Sequence, residues 1–404
     1  MRPRLRPAAA VAAAALPTIA CVALAIAAVP AFVGAAQLEP AARPAIVAPE
    51  RWLPADLDAL LQEIDRSARE GLHVERYGAA GLRQAIARGA PDVDAYADRS
   101  ALLLAHDYAA GSAPPSARKE WGIGPDPVDL GPWLRDALDG HDVTGALQRL
   151  LPQAPGYAAL RAALPSCDTP AHCATISLNL ERWRWLPRSL GYHYLWVNTA
   201  AYQLDLVEND RVIDSHRVIV GKPATPTPVF AALVTAVTAN PWWNVPRNIV
   251  AESVGATVRN RPAEAARLGY VATRGAGGLQ VRQRPGPLNA LGQVKFELPN
   301  PYSVFIHDTP SRALFDKQVR AFSHGCIRTQ DPARLARTLL SAEGARSFDQ
   351  YLAAGTNRTI ALDKPVPVYI VYFTAVASAA TPGGVDYFDD VYRRDTVLAA
   401  AGGF

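Results

Sequence analysis

The sequence predicts an α+β protein: a helical N-terminal domain followed by a mostly β domain that carries a lid-like insertion. Three observations lead there. Apolar residues recur at helical spacing from about Arg51 to Leu164. Strand-like runs rich in β-branched and aromatic residues take over after Ala174. An Arg-, Gly- and Pro-rich stretch then interrupts those runs between Ala251 and Glu297. A chain of 404 residues suits two or three domains of roughly 150 residues, and half of its residues are apolar, enough for sizeable cores.

Residues 1–36 read as an export segment. Arg2, Arg4 and Arg6 precede an uncharged run from Ala8 to Ala36, which ends in Gly34-Ala35-Ala36. That is the pattern of a signal peptide with a small-residue cleavage site, and the run is also long enough for an uncleaved membrane anchor. Pro17 and Pro30 speak against one straight helix. Cys21 lies inside the apolar run rather than at its end, which makes a lipoprotein site the weakest of the three readings. Signal and anchor both place the rest of the chain outside the cytoplasm, in the periplasm. The net charge is +4, with three of the arginines in this leader, so nothing calls for nucleic acid.

In the helical part, 45–166, "RWLPADLDALLQEIDRSAREGL" places Leu57, Leu60, Leu61 and Ile64 on one face, with Pro54 suited to a first turn. "SALLLAHDYAAG" and "GALQRLLPQAPGYAALRAAL" repeat the style, as apolar stripes broken by Gly and Pro. The β part is assigned to 175–376, with a tail at 377–404. "YHYLWVNTAAYQLDLVEND" and "RVIDSHRVIVGK" read as two strands joined at Glu208-Asn209-Asp210; "FAALVTAVTANPWW" and "PVPVYIVYFTA" read as two more. Trp242-Trp243 reads as core or loop anchoring. The insertion, 251–297, exceeds an ordinary connection and reads as a lid. Asp331-Pro332 opens a further helix, with Asp as N-cap and Leu335, Leu339 and Leu340 on its buried side.

Cysteine usage points to the chemistry. Beyond the leader the chain holds Cys167, Cys173 and Cys326. The first two stand six residues apart in a Pro- and Asp-containing loop, where an oxidising compartment favours a bridge if geometry allows. Cys326 is left odd, the mark of intermolecular pairing or a reactive thiol. It lies in "FIHDTPSRALFDKQVRAFSHGCIR", within twenty residues of His307 and two of His324. A cysteine nucleophile needs its proton taken, and an imidazole in reach can take it. His307 follows the apolar run "YSVFI", so it can stand at a rigid strand end. Gly325 permits a tight turn that exposes the sulfur and leaves backbone N–H groups for an oxyanion. Arg328 adds positive potential for a thiolate or a carboxylate. The bland alternatives are a buried apolar cysteine, a structural His324, an Arg328 that merely pairs with a carboxylate, and a metal site from His307, His324, Cys326 and Asp308. No short Cys or His pair has zinc-like spacing.

"SHGCIR", with a preceding histidine in "FIHDTP", resembles the signature of the L,D-transpeptidase catalytic domain of the YkuD type. "NLERWRWLP", "RVIVGKPATPTPVF", "NPWWNVPRNI", "PGPLNALGQVKFELPNPYSVFIHDTP" and "VDYFDDVYRRDTVL" are similar to the long, scaffold-bearing (YcbB-like) class of these enzymes. The resemblance covers Ser177 to Leu398, and more weakly the helical region. It implies Cys326 as nucleophile, His307 as proton acceptor and donor, and the backbone carbonyl of Asp308 as the group orienting His307. Ser323, His324, Gly325 and Arg328 would shape the oxyanion and substrate pocket, with Tyr302 as a lining residue. Members of that class often carry a peptidoglycan-binding module between the two domains, whereas here about a dozen residues stand at the junction.

The implied reaction joins peptidoglycan stem peptides through a cysteine thioester, with a tetrapeptide donor and a diaminopimelate acceptor giving a 3→3 cross-link, and it needs no metal and no cofactor. Arg259, Arg261, Arg274, Arg282 and Arg284 of the lid would attract stem carboxylates. Other cell-wall synthesis enzymes are candidate partners. Water or a lipoprotein amine at the same thioester would give L,D-carboxypeptidase action or lipoprotein attachment instead. A metal-dependent murein hydrolase and a non-catalytic wall-binding scaffold are the rivals from other classes.

Overall fold

The structure, a computed structural model, describes residues 51–402 apart from 119, 276–277 and 382. The leader assigned to 1–36 lies outside the described residues. Among the described residues no helix is long and apolar enough to cross a membrane.

Seven helices build the first part: α1 (Pro54–Arg66), α2 (Ala79–Ala87), α3 (Val93–Ala110), α4 (Leu130–Asp139), α5 (Val143–Gln148), α6 (Pro155–Ala163) and α7 (Pro170–Arg184). Their shared core holds Leu57, Leu60 and Ile64 of α1, Leu104 and Tyr108 of α3, and Tyr157, Leu160 and Leu180. Pro54 opens α1 where a missing N–H costs nothing. "GALQRLLPQAPGYAALRAAL" holds two helices, because Pro152 and Pro155 break it between α5 and α6. The junction to α7 is a short 3₁₀ turn (Leu164–Ser166) closed by a Cys167–Cys173 disulfide, and Thr169 caps α7 by accepting from the His172 N–H at 3.1 Å.

A strand of this helical part, β1 (Trp121–Gly122), joins the sheet of the second part by parallel pairing with β5 (Val229–Ala239). The other strands are β2 (His193–Asn198), β3 (Gln203–Glu208), β4 (Arg211–Gly221), β6 (Trp243–Asn244), β7 (Tyr270–Gly275), β8 (Gly278–Gln283), β9 (Val294–Glu297), β10 (Ile306–His307), β11 (Ala321–Ser323), β12 (Ile327–Thr329), β13 (Arg358–Val371), β14 (Ala375–Ala377) and β15 (Val385–Tyr387). The main sheet runs β5-β13-β2-β3-β4-β12-β10-β9, and β9 pairs back to β5, so it closes on itself as a barrel. Leu195, Leu204, Val218, Phe230, Phe296, Ile306, Ile327 and Val368 fill it. Leu335 and Phe348 bring α11 (Pro332–Leu339) and α12 (Ala342–Ala353) onto the same core.

Two expectations for these elements need correction. The first strand run is two strands, β2 and β3, because Tyr202 adopts φ +56° and turns the chain. The next turn is a tight hairpin with Asn209 and Asp210 both at positive φ, as the polar pair predicts. Asp331 does precede α11, yet it is left-handed (φ +48°) and its side chain caps no N–H; it takes the Arg334 Nε at 3.2 Å instead.

The insertion is not irregular. α8 (Arg247–Ile249) passes through a π-turn (Val250–Val254) into α9 (Gly255–Asn260) and α10 (Pro262–Arg267), and β6, β8 and β7 form a small sheet. Trp243, Val250, Val254, Val281 and Leu291 give it an apolar core of its own, so it starts at Trp243 rather than Ala251. Trp242 lies under the Arg282 guanidinium at 4.5 Å.

Candidate active site

Strands β10 and β12 run parallel, with Ile306 opposite Ile327 and His307 opposite Arg328. Both isoleucines are fully buried in the barrel. Side chains alternate along a strand, so His307 and Arg328 point to the outer face. The ladder continues one step back through the Ile327 N–H to Phe305 carbonyl bond (3.0 Å), and it puts Phe305 and Cys326 on that same outer face. Cys326 therefore sits one diagonal step from His307. Phe305 packs against the core of the insertion, its ring 5.4 Å from the His307 ring. The two residues are thus held by one pair of hydrogen-bonded strands under one cover.

His307 is buried, and its Nδ1–H donates to the Asp308 carbonyl at 2.5 Å. That bond puts the proton on Nδ1 and makes Nε2 the basic nitrogen, with the Leu291 backbone also in hydrogen-bonding reach of the ring. Burial first, then the Arg328 charge, lowers the imidazole from 6.5 to about 3. Asp308 is itself fixed: its carboxylate accepts from the Gln293 N–H at 2.8 Å and from Arg312 at 3.3 Å. Cys326 carries a free thiol, 3.9 Å from the Ser303 carbonyl. Burial pushes the thiol up from its ordinary value, against the Phe305 backbone hydrogen bond and then the Arg328 and Lys295 charges. Both shifts favour the uncharged thiol and imidazole over an ion pair, and no hydrogen bond joins the two among the described residues.

The loop before the cysteine differs from the expectation in one respect. The Gly325 N–H is not free for an oxyanion, because it donates to Ser323 Oγ at 3.0 Å. Ser323 Oγ in turn donates to the Cys326 carbonyl at 2.6 Å, so this buried serine closes the turn. Gly325 is needed for its φ of +115°, which L side chains rarely adopt. Among the described residues the Cys326 N–H has no hydrogen-bond acceptor and remains available. Arg328 has no hydrogen-bond or ion-pair partner among the described residues, and burial lowers its basicity. Tyr302 is half-exposed and rests on Phe230, ring centres 4.9 Å apart.

His324 is tied to the insertion. Its Nε2 is 3.1 Å from Glu252 on the π-turn, whose other oxygen is 3.4 Å from Lys222. Sequence reasoning missed Glu252 and Lys222, which stand 72 residues or more from the motif's histidine and carry no local signal. Lys222 and then His324 hold the Glu252 carboxyl below its ordinary value. A depressed carboxyl contributes above its ordinary range and is lost as pH falls through the lowered value. Glu252→Ala is expected to speed amide exchange across α8 and α9 by about two- to threefold at low salt, the scale of an exposed ion pair. Unchanged exchange would mean that the apolar core alone holds the insertion. Arg259, Arg274 and Arg284 are exposed, whereas Arg261 pairs with Glu264 at 2.9 Å. Among the described residues no three His, Cys, Asp or Glu side chains come together as a metal-ligating group.

This geometry suits acyl transfer through a thiol. Residues 192–370 match the YkuD family, an L,D-transpeptidase catalytic domain, and residues 41–164 match a Scaffold domain. The chain therefore carries a YkuD-type L,D-transpeptidase catalytic domain behind a Scaffold domain. A Haemophilus influenzae protein named "Putative L,D-transpeptidase" is 27% identical over 246 residues, 56% of this chain and 49% of that protein. The chain thus spans about half the length of the curated relative it matches. Among solved structures, an L,D-transpeptidase from Mycobacterium smegmatis is 12% identical with a TM-score of 0.24, over 45% of this chain and 58% of that one. L,D-transpeptidase 3 from Mycobacterium tuberculosis is 14% identical with a TM-score of 0.24, over 45% and 61%.

Proposed function

We propose that this protein is a peptidoglycan L,D-transpeptidase, exported to the cell-wall space, that forms 3→3 cross-links through a thioester on Cys326. The observation that carries the reading is a free thiol on the same outer sheet face as a buried histidine whose Nδ1 is locked to a backbone carbonyl. Cys326 Sγ attacks the carbonyl of the third residue of a stem tetrapeptide, and its proton passes to His307 Nε2. The C–N bond to the terminal D-alanine breaks as His307 returns that proton to the leaving amine. The Cys326 N–H faces the oxyanion, and Arg328 supplies positive charge beside it. The imidazole's low basicity makes a stored imidazolium costly, so proton uptake and release stay close in time to bond formation and cleavage. A second stem's diaminopimelate amine then attacks the thioester carbonyl, His307 Nε2 takes the amine's proton and passes it to the Cys326 sulfur, and the C–S bond breaks to free the thiol. The thioester retains the free energy of the old amide, which suits a compartment without ATP. Asp308 positions His307, Ser323 and Gly325 shape the loop, and His324 and Tyr302 border the substrate. Water or a lipoprotein amine in the second step would give hydrolysis or attachment instead.

The test is mass spectrometry of products from disaccharide-tetrapeptide, with the wild-type protein beside Cys326→Ala. A cross-linked dimer formed only when Cys326 is present is the expected result. Tripeptide alone would replace transpeptidation by carboxypeptidase action. No thiol-dependent product would sink the reading.

A further inference from the structure

The cysteine loop rests on a second turn, residues 221–227. Thr227 Oγ1 donates to the Gly325 carbonyl at 2.9 Å and accepts from the Gly221 N–H at 2.9 Å. The Lys222 N–H donates to the Ser323 carbonyl at 2.9 Å. This turn is gripped from behind by a C-terminal strap. Tyr392 Oη donates to the Gly221 carbonyl at 2.6 Å and accepts from the Thr227 N–H at 3.4 Å. Arg394 lies beside the stacked Tyr372 and Tyr392 rings, 5.0 and 5.1 Å from their centres, and donates to the Thr227 carbonyl at 3.2 Å. Its other partner is Glu120 of the helical part, at 3.3 Å. The strap is anchored in turn: Asp390 accepts from Tyr372 Oη at 2.8 Å, and Asp395 meets Arg182 of α7 at 2.6 Å.

We propose that Tyr392 is a positioning residue for the catalytic cysteine, acting through Thr227 and Gly325, and that Arg394 couples this strap to the helical part through Glu120. The strap touches neither Cys326 nor His307; it sets the height of the loop that presents the Sγ and the Cys326 N–H. A tyrosine serving only to fill space would need its ring and not its hydroxyl. Here the hydroxyl meets both ends of the turn that holds Gly325. The Gly325 carbonyl has its bond from one hydroxyl, so slack at Thr227 passes directly to the residue before the nucleophile.

The turnover arm of the test rests on the proposed function; a thiol-reactivity arm does not. Tyr392→Phe is expected to lower kcat about five- to tenfold, the scale of one lost hydrogen bond, with KM within about twofold and the melting temperature nearly unchanged. The same variant is expected to react with iodoacetamide at Cys326 about threefold faster at pH 8, because a slack loop relieves the packing around the thiol. Thr227→Ser keeps the hydroxyl and should retain activity, whereas Thr227→Val should lose at least as much as Tyr392→Phe. The double variant Tyr392→Phe/Thr227→Val should be no worse than Thr227→Val alone, since the two act in series. Additive losses, or wild-type kcat and alkylation in Tyr392→Phe, would overturn the proposal. If the wild-type protein gives no Cys326-dependent product, the functional reading fails and the alkylation rates alone decide the positioning role.

Discussion

His307→Gln is expected to lower kcat/KM by about 10²–10⁴-fold, the range that a positioned general base contributes. Two features make this residue sensitive. Its ring is buried, and its Nδ1 is committed to the Asp308 carbonyl, so Nε2 is the one basic nitrogen that faces the outer side. Gln preserves a polar group of similar reach but cannot shuttle a proton. The pH dependence separates this role from a surface histidine's. With the imidazole lowered to about 3, the base stays unprotonated through mildly acidic and neutral pH. The wild-type kcat/KM should therefore show no inflection near 6.5 between pH 5 and 8. A wild-type inflection near 6.5 that vanished in His307→Gln would show an ordinary, solvated imidazole. Stability carries the same sign. The unfolded histidine binds a proton below about 6.5 while the folded one does not. The wild type should lose about 1.4 kcal/mol per pH unit more than His307→Gln as pH falls from about 6 to 4. Parallel acid-stability curves would contradict the burial.

That Cys326 and His307 come onto neighbouring strands was legible in the sequence because β10 and β12 are short, close in sequence and adjacent in space, while the Asp308 carbonyl was implied by the resemblance alone. A motif of that kind packs its chemistry into about twenty residues, and alternation along each strand does the rest. The helical part was legible because Leu57, Leu60 and Ile64 keep a regular period, and the hairpin at Asn209-Asp210 because both residues accept positive φ. The insertion was not. Its helices are short, a π-turn breaks their period, and its buried residues are spread over Trp243, Val250, Val254, Val281 and Leu291, so no window shows a repeat. The turn and strap that carry Thr227, Tyr392 and Arg394 were visible only as blocks of resemblance. Their contacts span 98 to 274 residues, and hydroxyl-to-backbone bonds leave no pattern in a sequence. The expected free N–H at Gly325 failed for a related reason: Ser323 Oγ, two residues away, is a better acceptor than an empty site.

Gly325→Ala should abolish most of the activity while the protein stays folded. Its φ of +115° lies where a Cβ is strained whatever the space, at a cost of about 1–3 kcal/mol. Space itself is not the obstacle, because the atom nearest to an added Cβ is the Pro226 carbonyl oxygen at 3.9 Å. The loop can relieve the strain by rotating, and rotation carries the Cys326 N–H and Sγ away from the face they share with His307. A displacement of about 1 Å at a reacting group is enough for a roughly 10²-fold loss. The expected signature is therefore a kcat lower by at least about 10²-fold with a melting temperature lower by only a few degrees. Gly221→Ala makes the contrast. A Cβ there would run into the backbone of Thr225, Pro226 and Thr227, so that variant should lose stability and activity together. If Gly325→Ala kept wild-type kcat, the conformation of the residue before the nucleophile would not matter to the reaction, and the positioning role given to Thr227 would lose its basis with it.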